Sequence, residues 1–193
     1  MKKERGRIVS LLAGVLLFSV SCGRVIYADG PYHGKVIDKE TKQPIEGAAV
    51  LAVWWKETPM IAQAQITFYD AQETLTDQEG NFTIPGITGG SANPLAKIRE
   101  PLFTIFKPGY KAFKQVRLRP PADEERSVVD LSPLKTREER KKNLYGLLPG
   151  ACAPDVKQFC VPEEKILTLI RLMNVEEKNL GSKPTYIPKG DTQ

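Results

Sequence analysis

The chain has 193 residues, 41% of them hydrophobic and 26% charged, with a formal net charge of +5. That apolar content excludes wholesale disorder, and the length is enough for one ordinary domain with short appendages. Fifteen glycines and fifteen prolines punctuate the chain, which favours short strands over an all-helical bundle.

The positive charge is concentrated at the N-terminus. Lys2, Lys3, Arg5 and Arg7, offset by Glu4, precede an uncharged run from Ile8 to Ser21. This is the order of a secretory signal peptide, and the run is short of the roughly 20 apolar residues of a comfortable membrane span. Removing residues 1–21 takes four basic side chains and one acidic one, leaving a net charge of about +2. The electrostatic case for nucleic-acid binding goes with them.

The junction Phe18-Ser19-Val20-Ser21-Cys22-Gly23 resembles the lipobox of bacterial lipoproteins. The resemblance implies that Cys22 is diacylated and becomes the mature N-terminus. It also implies outer-membrane sorting, because Gly23 rather than Asp follows the cysteine. Three cysteines are an odd number for an exported chain, and lipidation of Cys22 accounts for one. Cys152 and Cys160 then form the expected disulfide of an oxidising compartment. Zinc needs at least two further ligands, and the only histidine is His33.

Residues 22–33 read as a polar tether, and strands are expected from residue 34 onward. Gly34–Asp38 is a short strand, followed by the turn Thr41–Gly47. Ala48–Trp55 is almost purely apolar, as in a central strand covered on both faces. Ala64–Tyr69 follows. Alternation on either side of Asp77-Gln78-Glu79-Gly80-Asn81 then predicts a β-hairpin over 73–85. Leu102–Phe106, Lys114–Arg119 and Ser127–Leu131 complete about seven strands, with 58–63 and 86–94 as loops. Such spacing predicts an antiparallel β-sandwich.

Four blocks carry a second resemblance. Gly34–Asp38, Gln43–Val50, Thr76–Phe82 and Lys107–Tyr110 resemble, in order, the carboxypeptidase regulatory-like domain. The resemblance covers about residues 34–132 and implies a seven-stranded transthyretin-like, Ig-like sandwich. It implies an accessory or binding module, without the zinc-bearing catalytic domain of those peptidases.

After Leu131 the pattern becomes helical. Thr136-Arg137-Glu138-Glu139 is a capping box opening a helix to about Leu148. A second helix begins near Pro162 and stops at Gly181. Its stripe of Ile166, Leu169, Ile170, Met173 and Leu180 either docks on the sheet or receives a partner. Residues 133–181 thus form a two-helix extension with the disulfide loop, and 182–193 a loose tail.

Candidate chemistry is sparse. A Ser or Cys nucleophile needs a base, and there is one histidine. Asp77 and Glu79 are conceivable calcium ligands, or simply a polar turn. Trp54 and Trp55 point to opposite sides of their strand, so one ring is a candidate surface for a protein or a sugar. The expectation is a non-catalytic, lipid-anchored envelope protein for binding or assembly, with no cofactor, no metal and no nucleic-acid partner. The second reading is a carbohydrate- or peptidoglycan-binding module, and a hydrolase ranks third.

Overall fold

A computed structural model describes residues 25–61, 63–91, 93–118, 126–148 and 160–185. In chain order the strands are β1 (Val25–Asp29), β2 (Tyr32–Asp38), β3 (Ala49–Thr58), β4 (Gln65–Leu75), β5 (Asn81–Ile84), β6 (Ile87–Ser91), β7 (Lys97–Ile98), β8 (Leu102–Phe106), β9 (Phe113–Val116) and β10 (Ser127–Leu131). Two helices follow, α1 (Arg137–Leu144) and α2 (Leu167–Asn179), the second preceded by a 3-10 turn at Glu163–Lys165.

Every residue from Ala48 to Trp54 is at most 1% exposed. Side chains alternate across a strand, so such a run requires cover on both faces, as its composition predicts. On one face Val50, Ala52 and Trp54 join Phe103 and Ile105 of β8. The same cluster takes in Val36, Phe82, Ile84, Val129 and Leu131 from the sheet β10-β2-β5. On the other face Ala49, Leu51 and Val53 meet Ile166, Leu169, Ile170 and Met173 of the helical segment. Each fully buried large aliphatic or aromatic side chain contributes about 1.5–3 kcal/mol relative to exposure, and β3 gathers them from two sides.

The larger sheet has the order β4-β3-β8-β9, with β7 also pairing with β3, and every pairing in it is antiparallel. The domain is mainly β, with two differences from the expected seven antiparallel strands. There are ten strands among the described residues, and β10 pairs with β2 in parallel. The turn at Asp77–Gly80 is present, but its arms do not form the predicted hairpin. β4 pairs with β3 while β5 pairs with β2, so the turn carries the chain from one sheet to the other. The reason is local: the Val36 amide donates to the Gly80 carbonyl at 2.8 Å, drawing the turn onto β2.

Two segments read as irregular are strands. Residues 25–29 of the expected tether form β1, which pairs with β6 inside the predicted 86–94 loop. β6 carries two glycines, a composition that reads as a loop. A Cβ at Gly89 would lie 1.9 Å from the Tyr69 hydroxyl oxygen, so the glycine admits a crossing side chain.

The four sequence blocks meet in space. Phe82 packs on Gly34, where a Cβ would lie 2.3 Å from the ring. The Lys107 ammonium donates to the Glu46 carbonyl at 2.6 Å. The Tyr110 hydroxyl donates to Asp38 Oδ2 at 3.0 Å, while Asp38 Oδ1 accepts from the Glu40 and Thr41 amides. Thr76, buried between β4 and β5, donates to the Ile45 carbonyl and accepts from the Ala48 amide.

The helices are tied to the sheet by charge as well as by their apolar stripe. The capping box at Thr136 and Glu139 is formed. α2 has no side-chain cap of its own, and the Glu73 carboxylate of β4 accepts from the Thr168 and Leu169 amides instead. A carboxylate at that position also complements the helix dipole. Glu176, fully buried on α2, is gripped by the Arg140 guanidinium and accepts from the Gly109 amide. Asn143 ends this lattice, accepting from the Ala112 amide and donating to the Tyr110 carbonyl.

Two outcomes are expected. Gly80 has φ +74°, and a Cβ there would lie 2.4 Å from the Val36 carbonyl oxygen. Gly80→Ala should therefore destabilise by about 1–3 kcal/mol in chemical denaturation, and by more than Gly109→Ala, where φ is +86° but a Cβ meets nothing, so that backbone strain acts alone. The Thr41 amide, with Tyr110 and Glu40, holds the Asp38 carboxyl below its ordinary pKa of about 3.9. Its contribution is thus present above that pH and is lost as pH falls through the lowered value. Thermal midpoints measured between about pH 5 and 2 should fall less steeply for Asp38→Asn than for the wild type.

Candidate functional site

The two tryptophans part ways as strand alternation requires. Trp54 is fully buried, and its indole N–H donates to Asp29 Oδ2 at 2.7 Å. Asp29 Oδ1 accepts from the Tyr32 hydroxyl at 2.6 Å, so one carboxylate joins β1, β2 and β3. Burial first, then Asp29, pushes the Tyr32 hydroxyl far above its ordinary pKa, and it stays protonated. Trp54 is therefore a core residue and leaves the candidate surface.

Trp55 lies across a register shift in the β3–β4 ladder, where Trp54 faces Asp70 and Trp55 faces Phe68. The extra residue, Tyr69, is the one that crosses Gly89. Trp55 stays partly accessible, with the Phe68 ring edge-on at 6.2 Å. It lines a shallow recess of about 250 Å³ with Ile66, Arg99, Leu102, Gln115 and Arg117.

The walls are charged but paired. Arg99 Nε donates to Glu57 Oε2 at 2.8 Å, and Arg117 Nε lies 3.5 Å from Glu100 Oε2. The Arg99 contact lowers the Glu57 pKa and raises that of Arg99, so both stay ionised. Gln115 has φ +50°, a left-handed conformation uncommon for a residue with a side chain. The β8–β9 ladder shifts between Phe103 and Ile105, and the Gln115 amide donates to the buried Thr104 hydroxyl at 3.3 Å. An apolar ring beside guanidinium, carboxylate and amide groups can hold a small amphipathic ligand: a sugar ring, or a peptide side chain next to its backbone.

The other candidates resolve differently. Cys22 and Cys152 lie outside the described residues. Cys160 is partly buried beside Val161, which belongs to the core cluster under the helices. Asp77 Oδ1 accepts from the Glu79 and Asn81 amides of its own turn. Among the described residues no group of three acidic, His or Cys side chains is placed to hold a metal ion. His33 is exposed and lies 3.1 Å from the Thr83 hydroxyl. No helix among the described residues is long and apolar enough to cross a membrane, and the run Ile8–Ser21 lies outside them.

Sequence reasoning missed Asp29 and the four polar walls of the recess. Asp29 fell in the expected tether. Arg99, Glu100, Gln115 and Arg117 come from segments whose approach to Trp55 depends on long-range pairing. Compared with known proteins, the chain matches no family model, no curated protein and no solved structure.

The tryptophans should separate in mutagenesis. Trp54→Ala is expected to cost about 3–5 kcal/mol in denaturant unfolding, and Trp55→Ala clearly less. Trp54→Phe keeps most of the volume but removes the Asp29 donor, with a loss of about 1–3 kcal/mol. Equal large losses for both alanine variants would contradict the placement of Trp55.

Proposed function

We propose that this chain is an exported, lipid-anchored bacterial envelope protein built on a carboxypeptidase regulatory-like β-sandwich, acting as a non-catalytic binding or assembly module. Export and anchoring rest on the order of cations, short apolar run and Cys22. The family reading is supported by the meeting of its four blocks at Asp38, Gly80 and Tyr110.

The observation that carries the binding role is Trp55: a large ring left partly accessible beside Arg99 and Arg117, just past the stretch of β3 that is sealed on both faces. An aromatic and an arginine at the centre of a patch are typical anchors for a protein partner. Glycan binding is the second reading, favoured by the carboxylate, amide and guanidinium groups within reach of a sugar stacked on the ring. Outer-membrane sorting and a Cys152–Cys160 disulfide belong to the same proposal.

Two measurements test it. Cells expressing wild type should incorporate labelled fatty acid into this chain, and Cys22→Ala should abolish it; an unlabelled wild type contradicts the anchor. Trp55→Ala, folded by circular dichroism, should lose a cross-linked envelope partner at least about tenfold, which corresponds to about 1.4 kcal/mol. If it loses co-sedimentation with purified peptidoglycan instead, the glycan reading takes its place. Retention of both contradicts a functional recess.

A further inference from the structure

Four of the nine exposed large apolar side chains among the described residues gather at one end of the domain. Among the described residues, Ile61, Ile26, Leu95 and Met60 are 110%, 83%, 65% and 60% exposed, four of the five most exposed large apolar side chains. The pairings gather them. Val25 faces Ser91 at the start of β1, and Lys97 faces Glu57 just before the β3–β4 tip. Tyr27, Ser91, Ala96 and Ile98 line one recess between those two ladders. Ile26, Leu95 and the tip residues Met60 and Ile61 therefore flank a common end.

That end is also where the chain leaves β1 toward Cys22. Val25 is three residues from Cys22, a span of at most about 11 Å even when fully extended. Resting on the lipid anchor proposed above, we infer that this end docks on the bilayer surface, with Met60, Ile61, Ile26 and Leu95 entering the headgroup region. A twelve-residue tether would let the domain adopt any orientation. With β1 beginning at Val25, the anchor holds the apolar end against the lipid. The charges fit an anionic surface: Arg99 compensates Glu57, and Lys56 and Lys97 stand on the same two strands. Apolar tips flanked by lysines are the usual chemistry of interfacial binding.

The test uses the full acylated chain in vesicles of phosphatidylethanolamine and phosphatidylglycerol containing doxyl-labelled lipid. An environment-sensitive fluorophore is placed at Ile61→Cys or, in a second variant, at Gln78→Cys. Gln78 lies beyond the other end of β3, whose ten residues span about 30 Å. Lipid on Cys22 is read separately by intact mass. The Ile61 label should be quenched, at a depth within about 5–10 Å of the headgroup boundary, and the Gln78 label should not. An acylated chain with both labels unquenched, or equally quenched, overturns the docking and leaves the anchor standing. A chain without lipid mass refutes the anchor; Ile61 quenching then still supports docking, and its absence overturns both.

Discussion

The double burial of β3 is the constraint on which the rest of this structure depends. A strand with no polar face cannot sit at a solvent-facing sheet edge, so two layers must form around it. The sheet β10-β2-β5 supplies one layer and the helical segment the other. The C-terminal helices are therefore part of the fold rather than an addition to it. Removing them would leave Leu51, Val53, Phe106 and their neighbours facing water.

Polar contacts then fix how the layers meet. Asp29 ties β1 and β2 to Trp54, Asp38 ties β2 to Tyr110, and Glu73 and Glu176 pin α2 from the sheet and from α1. Each is a carboxylate accepting two or more hydrogen bonds. Burying such groups costs free energy unless they are satisfied, so they specify one arrangement among several that an apolar core alone would allow. The accessible site lies where this system ends. Past the register shift at Trp54, β3 leaves the doubly covered region, and Trp55 is only partly enclosed.

Much of this was legible in the residues, and the pattern of success has a physical cause. The unbroken apolar run predicted the covered central strand. Gly80 marked a turn, Thr136 with Glu139 marked a helix start, and the stripe from Ile166 to Leu180 is buried as spaced. These are local signals, carried by periodicity and backbone preference. What escaped depends on partners distant in sequence. β6 reads as a loop because its glycines make room for Tyr69. β1 reads as a tether because, among the described residues, its one strand partner is β6. The parallel β10–β2 pair and the convergence of Arg99 and Arg117 on Trp55 follow from topology that no local pattern encodes.

Native-state amide hydrogen exchange is the most direct test of the central claim. If β3 is the shared core of both layers, amides from Ala49 to Val53 should exchange only through global unfolding, with the same free energy as those of Leu169 to Met173 on α2. Amides of β1 and β9 should open at lower free energy. Exchange of α2 by independent unfolding at low free energy, with β3 still protected up to the global limit, would show that the helices merely rest on the sheet and would contradict the account.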